Sequence, residues 1–201
     1  MYICLSVIKV FVMHRKFSFP IFSVSALLLV FLWAWPFSGR FAGVNSPSEP
    51  EEEIEWISIE EAAKRNQKNP KKIFIDVYTD WCGWCKKMDR DTFSNPGIAA
   101  YVNKNYYAVK LNAEGKAPIT LNGTTYNFRP ENRSHDLAIQ LLQGKMSYPT
   151  TVYLDENFNM LSPLPGYLTV EQLNKVLRFY GDNHYKKQTY PEFEKNYSAK
   201  K

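Results

Sequence analysis

The hydrophobic pattern sets the amino-terminal part of the chain apart from the rest. Residues 17–37 form an uncharged, largely apolar run, and the tripeptide HRK at 14–16 precedes it. A helix of about 20 apolar residues can span a bilayer, and lysine or arginine before it favours the cytoplasmic side for that end. We therefore expect residues 1–39 to be a signal-anchor, or alternatively a cleaved signal peptide, that exports the remainder of the chain. The sequence leaves open whether translation starts at Met1 or Met13.

A change to polar composition separates this segment from a folded region. Residues 40–54 are rich in proline, serine and glutamate and lack apolar periodicity, which predicts an acidic, solvated linker. A chain of 201 residues, with 45% hydrophobic and 22% charged residues, has room for one globular domain with appendages. We place that domain at residues 55–185 and a polar carboxy-terminal tail at 186–201.

Short periodic segments predict alternating helices and strands in the first half of the domain. Ser58 and Glu61 have capping-box spacing ahead of an amphipathic helix. The segment KKIFIDVYTD predicts a strand, NPGIAAYVNKNY a helix, and YYAVKLNAE a second strand. Strand, helix and strand in this order predict a parallel unit with a right-handed crossover.

The second half of the domain has the pattern of a hairpin followed by a helix. The segment YPTTVYLDENFNML predicts two strands around a turn at 155–159, and Thr169 with Gln172 marks the start of a final amphipathic helix. Together with the parallel unit, these elements predict an α/β fold in which a central mixed β-sheet carries helices on both faces.

Between these halves lies an insert, residues 114–146. Asn122 and Gly123 separate two short β-prone runs and therefore predict a tight hairpin. The segment SHDLAIQLLQG then predicts a capped helix ending at Gly144. The insert either influences the choice of partner or simply extends the edge of the sheet.

Charge and cysteine usage exclude several classes of function. The formal net charge of +5 arises from 25 basic and 20 acidic residues spread along the chain, which argues against a nucleic-acid partner. Of three cysteines, Cys4 lies in the apolar amino terminus, so the domain holds only Cys82 and Cys85. A zinc site would need further ligands, and His135 and His184 have no second ligand at a usable spacing. We expect no metal and no cofactor.

The spacing of the two domain cysteines favours thiol chemistry. A cysteine at the first turn of a helix lies against unpaired backbone N–H groups and the positive end of the helix dipole, which stabilise its thiolate. We therefore expect Cys82 to be the exposed nucleophile. Cys85 lies one helical turn further on and can attack a mixed disulfide at Cys82, so we expect it to be the more buried resolving thiol.

Several of these segments together resemble the thioredoxin superfamily over most of residues 55–183. They are IFIDVYTDWCGWCKK, AVKLNAE, YPT and LPGYLT. These segments are most similar to those of exported thioredoxin-like proteins and of the carboxy-terminal domain of the membrane transporter that delivers reductant to the bacterial periplasm. The resemblance implies a thioredoxin-like fold with a hairpin and helix inserted before a cis-proline.

A single acid in an otherwise apolar strand, Asp76, is a candidate for proton transfer. Burial of a carboxyl group raises its pKa towards the range useful at neutral pH. The resemblance implies that Asp76 assists deprotonation of the buried cysteine and that Lys110, on the next strand, pairs with it.

The resemblance also implies a partner-binding surface. Tyr148 and Pro149 match the family's cis-proline position, where backbone groups can pair with an extended substrate segment. We expect the flat apolar rings of Trp81 and Trp84 to border that groove.

These residues support two functional hypotheses. The first is a thiol–disulfide oxidoreductase that reduces or exchanges disulfides in exported proteins and is supplied by an upstream thiol–disulfide electron donor. The second is a non-catalytic, chaperone-like binding module that retains the fold. The implied location is the periplasm, either anchored to the inner membrane or cleaved and soluble there or secreted. The direction of electron flow depends on the dipeptide between the cysteines, Gly83-Trp84, and the sequence leaves it open.

Overall fold

The structure, a computed structural model, describes residues 52–197. The predicted signal segment at 1–39 and most of the predicted linker lie outside the described residues, so the expected membrane helix stays a prediction. Within residues 52–197, no helix is both long enough and apolar enough to cross a membrane.

The domain contains nine strands and six α-helices within the described residues. The strands are β1 (Trp56–Ile57), β2 (Lys72–Tyr78), β3 (Tyr106–Asn112), β4 (Ile119–Leu121), β5 (Thr124–Tyr126), β6 (Phe128–Arg129), β7 (Ser134–His135), β8 (Thr150–Leu154) and β9 (Met160–Pro165). The helices are α1 (Ile59–Asn66), α2 (Gly83–Met88), α3 (Pro96–Asn105), α4 (Asp136–Leu141), α5 (Val170–Gly181) and α6 (Tyr190–Asn196). A π-helix (Asp89–Phe93) follows α2, and a 3-10 turn (His184–Lys186) follows α5.

Five of the strands form a central mixed sheet in the order β1-β3-β2-β8-β9. As predicted, β2 and β3 run parallel and are connected through helices, whereas β8 runs antiparallel to both β2 and β9. The two edges are β1, which is only two residues long, and β9, which carries Pro163 and Pro165. The predicted α/β class with a mixed sheet is confirmed.

Helices cover both faces of this sheet because side chains along a buried strand alternate between the faces. Ile73, Ile75 and Val77 of β2 pack into a core with α1 and α4. Phe74 points to the opposite face and packs with α2, α3, α5 and the π-helix. The alternation places Asp76 on that second face, the one covered by the cysteine-bearing helix.

Capping residues begin the helices where the sequence predicted. The Ser58 hydroxyl accepts a hydrogen bond from the Glu61 N–H at 3.1 Å, but the Glu61 carboxylate accepts from Arg65 at 2.8 Å, so the box at α1 is not reciprocal. At α5 both halves of the box between Thr169 and Gln172 are present.

The insert forms a separate substructure beside the main sheet. Asn122 and Gly123 both have positive φ, 51° and 80°, as a tight two-residue hairpin turn requires, and β4 and β5 pair across it. These strands and the β6–β7 pair form two separate two-stranded sheets, so the alternative in which the insert extends the edge of the main sheet is wrong. The cap of α4 is the ring of His135, whose Nδ1 accepts from the Leu137 N–H at 3.2 Å.

Both ends of the described chain are packed more closely than their polar composition suggested. Ile54, at the end of the predicted linker, is buried. At the other end, α6 buries Phe193 against residues of α5 and is capped by a reciprocal box between Thr189 and Glu192. The packed structure therefore continues past residue 185, where the sequence suggested that a polar tail begins.

Candidate active site

The two cysteines lie at the amino terminus of α2, directly after β2. Cys82 is the N-cap residue and Cys85 lies in the first turn, and the two sulfurs form a disulfide with a Cα–Cα distance of 5.3 Å. The Cys85 N–H donates a hydrogen bond to the Cys82 sulfur at 3.0 Å. A backbone donor at a helix terminus stabilises negative charge on the sulfur that it contacts, so this position favours a thiolate at Cys82 once the disulfide is reduced.

Residue exposure does not distinguish the two cysteines in this oxidised state. Cys82 is 4% exposed and Cys85 is 3% exposed. The expectation of an exposed Cys82 beside a buried Cys85 therefore finds no support in their accessibility. The asymmetry between them lies instead in the N-cap hydrogen bond, which only the Cys82 sulfur receives.

Asp76 is a buried carboxyl group on the face of the sheet that α2 covers. It is 1% exposed, and its neighbours across the sheet are Lys110 on β3 and Thr151 on β8. The Lys110 ammonium lies 3.2 Å from Asp76 Oδ2, but neither carboxylate oxygen has a hydrogen-bond partner among the described residues. Burial raises the pKa of Asp76 to about 6, although the positive charge of Lys110 opposes the rise.

A second acid, Asp89, shares the same ammonium group. The Lys110 Nζ donates a hydrogen bond to Asp89, and the negative charge of Asp89 adds to the rise in the pKa of Asp76. The rings of Trp56 and Tyr78 each lie 5.1 Å from Lys110 Nζ, measured to the ring centroid. The structure thus links a buried carboxyl group to a half-buried one through a single lysine.

Asp89 was not among the site residues predicted from the sequence, although its position in the chain is informative. It lies four residues after Cys85, which is one helical turn, and it begins the π-helix. Short π-helical segments often occur at functional sites because they redirect side chains locally. An acid at this spacing behind the second cysteine was therefore recognisable in principle.

Exposed aromatic rings flank the disulfide on two sides. Trp81 is 66% exposed and Trp84 is 60% exposed. The peptide bond between Tyr148 and Pro149 is cis, as predicted, and the Tyr148 ring meets Trp81 edge to face at 5.9 Å. On the other side, Trp84 lies 5.6 Å from the ring of Tyr167. The structure therefore brings the cysteines, both tryptophans and the cis-proline loop together at one end of the sheet.

The first residues of the insert hold Trp81 in place, a contact that no sequence motif indicated. The Trp81 indole N–H donates to Glu114 Oε1 at 3.1 Å. The side chain of Asn112 accepts from the Glu114 N–H at 2.9 Å and donates to Asp80 at 3.0 Å. The carboxy-terminal end of β3 thus orders both residues that precede Cys82.

No group of three or more potential metal ligands occurs among residues 52–197. His135 is fully buried and its two ring nitrogens contact the Leu137 N–H and the Ala117 carbonyl. His184 packs against the ring of Phe193. Both histidines have structural contacts within the domain.

Comparisons with known proteins agree with this geometry. The sequence profile of the Thioredoxin-like domain matches residues 59–181, more than half of the chain. The thiol:disulfide interchange protein DsbD of Vibrio vulnificus is 26% identical over 145 residues, which are 69% of this chain and 21% of that protein. DsbD of Pectobacterium atrosepticum is 26% identical over 113 residues, or 55% of this chain and 17% of that protein. The chain thus spans less than a quarter of the length of these curated relatives.

The solved structures to which this chain is similar include a thioredoxin-fold protein from Helicobacter pylori. It is 19% identical with a TM-score of 0.48, and the match covers 63% of this chain and 80% of that one. The oxidised carboxy-terminal domain of Neisseria meningitidis DsbD is 20% identical with a TM-score of 0.41, covering 62% of this chain and 91% of that one. From the profile match over residues 59–181, this chain belongs to the thioredoxin-like family.

Proposed function

We propose that the chain is a thiol–disulfide oxidoreductase that reduces or exchanges disulfides in exported proteins through Cys82 and Cys85. The observation that carries the proposal is the hydrogen bond from the Cys85 N–H to the Cys82 sulfur at the start of α2. A thiolate accepting this bond is the nucleophile that disulfide exchange requires.

The reaction transfers two electrons from the dithiol to a partner disulfide. The Cys82 thiolate attacks one sulfur of the partner disulfide, forms a mixed disulfide and releases the other partner sulfur as a thiolate. Cys85, once deprotonated, attacks the Cys82 sulfur, which re-forms the internal disulfide and releases the second partner thiolate. The two partner thiolates take up protons, and an upstream thiol donor must reduce the Cys82–Cys85 disulfide before the next cycle.

Asp76 is the proposed acceptor of the Cys85 proton. A carboxyl group with a pKa of about 6 can hold or release a proton near neutral pH, and Asp76 faces the side of the sheet that α2 covers. The positive charge of Lys110 limits the rise in the pKa of Asp76. Lys110 also pairs with the half-buried Asp89, which links the buried Asp76 to a more accessible carboxyl group. Asp76 and Lys110 thus have the proton-transfer roles in the proposed reaction.

The proposed partner surface consists of Trp81, Trp84 and the loop of Tyr148 and Pro149. The rings supply apolar contact area beside the disulfide, and an extended partner segment can pair with the backbone at the cis-proline loop. Partners with exposed, extended segments around their cysteines fit this surface.

The apolar run at 17–37 supports a proposed location outside the cytoplasm, with the domain anchored to the inner membrane. Fractionation tests this directly. Recovery with the inner membrane supports the anchor, a shortened soluble form outside that membrane supports a cleaved signal peptide, and recovery in the cytosol rules out export.

Trapping of mixed disulfides tests the exchange chemistry. Cys85→Ser should retain the attacking thiolate but lose the resolving thiol, so covalent partner adducts should accumulate on non-reducing gels. Cys82→Ser should accumulate few adducts, because the remaining sulfur does not receive the N-cap hydrogen bond. Adducts mainly with Cys82→Ser would reverse the assigned roles.

Insulin reduction distinguishes the oxidoreductase from the binding module. With a competent electron donor, wild-type chain should reduce insulin and the double serine variant should not. No turnover by either, together with an absence of adducts from both single variants, would favour the chaperone-like alternative. Equilibration with glutathione then reports the direction, since a potential near that of thioredoxin indicates a reductase.

A further inference from the structure

The loop between β9 and α5, residues 166–169, is fastened on two sides to the elements around the disulfide. The Gly166 N–H donates to the Pro149 carbonyl at 2.8 Å, which joins the loop to the cis-proline segment. The buried Thr92 hydroxyl in the π-helix donates to the Leu168 carbonyl at 2.7 Å. Tyr167 lies between these two attachments, so its backbone has little freedom to move.

The side chain of Tyr167 contacts one of the two residues that separate the cysteines from each other. Its ring centroid lies 5.6 Å from that of Trp84, with an interplanar angle of 54°. The Lys87 ammonium lies 5.6 Å from the same ring, and Lys87 is held by an ion pair with Asp91 one turn further along. Trp84 therefore contacts a ring that is held by the backbone hydrogen bonds of its loop and by its contact with Lys87.

The indole of Trp84 can form a fixed part of a binding surface only if a neighbouring group holds it in one rotamer. At 60% exposure its indole has few contacts of its own, and an exposed side chain with few contacts samples several rotamers. An aromatic pair is more favourable than its buried area alone implies, so contact with a fixed ring favours one rotamer over its alternatives. The Tyr167 ring is the aromatic neighbour of Trp84 within the described residues.

We propose that Tyr167 is a positioning residue that fixes the indole of Trp84 as one wall of the partner groove and thereby favours protein disulfides over small ones. The inference rests on the proposed oxidoreductase function. A polypeptide segment that reaches Cys82 must pass the Trp84 wall, whereas a small disulfide can approach the sulfur without touching it. Tyr167 thus affects recognition of the partner and leaves the sulfur chemistry to the cysteines.

The test measures how fast each of two disulfide substrates oxidises the Cys82–Cys85 dithiol of the pre-reduced full-length chain in a single turnover. Insulin is the protein disulfide and hydroxyethyl disulfide is the small one. Tyr167→Ala removes the support, and Tyr167→Phe keeps the ring. Tyr126→Ala, a half-buried tyrosine in the insert hairpin, is the matched control for loss of an aromatic side chain.

Tyr167→Ala should raise the half-saturating insulin concentration about two- to tenfold, the factor that corresponds to loss of one aromatic pair. The limiting rate and the reaction with hydroxyethyl disulfide should change far less. Tyr167→Phe should restore the insulin dependence, and Tyr126→Ala should resemble wild type. Equal slowing of both substrates would place the effect in the redox chemistry or the fold and would overturn the proposal, as would an unchanged insulin dependence.

A second measurement does not depend on activity. The fluorescence of Trp84 is obtained as the difference between a chain that has Trp84 and the same chain with Trp84→Phe. Acrylamide should quench this fluorescence more strongly in Tyr167→Ala than in wild type, and equally in Tyr167→Phe and wild type. Unchanged quenching would overturn the assignment of Tyr167. If wild type proved inert towards both disulfides while quenching still responded to Tyr167→Ala, the proposed oxidoreductase function would fail and Tyr167 would remain the support of Trp84.

Discussion

Replacement of Asp76 by asparagine should change how the stability of the domain depends on pH. The pKa of this carboxyl group rises from 3.8 to about 6 on folding because the group is buried. Between about pH 4 and pH 6 the folded chain therefore holds a proton that the unfolded chain has released, so the unfolding free energy falls as the pH rises through this window and stays lower above it. The rise corresponds to about 3 kcal/mol of unfolding free energy at pH 8. A neutral asparagine side chain is not subject to this loss, so Asp76→Asn should gain about that much relative to wild type between pH 4 and pH 8.

Urea unfolding of the oxidised full-length chain in mild detergent, repeated from pH 4 to pH 8, measures this difference. The absolute stability of the variant also includes the lost contact with Lys110, so the change of the difference with pH is the informative quantity. Asp91→Asn is the matched control, because the ion pair with Lys87 lowers the pKa of Asp91 from its ordinary value of 3.8. The stability that this ion pair contributes is lost only at lower pH, so the difference between Asp91→Asn and wild type should change little from pH 4 to pH 8. A flat difference between Asp76→Asn and wild type across this range would refute the reasoning.

Three further variants test other parts of the structure. Asp89→Asn should lower the pKa of Asp76, because it removes a nearby negative charge. In urea unfolding at a series of pH values, the pH range over which stability falls should move to lower pH. An unchanged pH range would contradict the electrostatic coupling of Asp89 to Asp76. Gly123→Ala forces a side chain into a positive φ and should cost roughly 1–2 kcal/mol in urea unfolding while insulin reduction persists; an unaltered stability would contradict the turn geometry. His135→Ala removes the cap of α4 and should lower the unfolding free energy by at least about 1 kcal/mol, with His135→Asn recovering part of it as a capping residue; equal losses in both would contradict the capping role.

Local patterns predicted the main strands and helices well. Apolar periodicity located β2, β3 and α5, and the boxes at Ser58 and Thr169 marked the helix starts, because these signals depend on neighbours in sequence. The cysteine pair and the cis-proline were recognisable as motifs for the same reason. The interpretation of residues 186–201 as a tail overlooked such a local signal, since Thr189 and Glu192 have capping-box spacing ahead of α6.

Contacts between distant segments were beyond the sequence. The hydrogen bond from Trp81 to Glu114 joins residues 33 positions apart, and the support of Trp84 by Tyr167 depends on how the β9–α5 loop is tied down. Equal burial of the two cysteines in the disulfide was also unpredictable, because exposure depends on packing of the whole site rather than on helix position.

The prolines of β9 affect how the domain behaves at high concentration or in contact with unfolded chains. An exposed edge strand offers a row of free N–H and C=O groups on which another chain can assemble. Proline has no N–H, and within sheets it occupies positions whose nitrogen faces away from the neighbouring strand. Pro163 and Pro165 therefore remove donors from the exposed edge, while β1 is too short to form a long ladder at the other. Neither edge of the main sheet thus offers a long row of free backbone groups on which an extended chain could assemble.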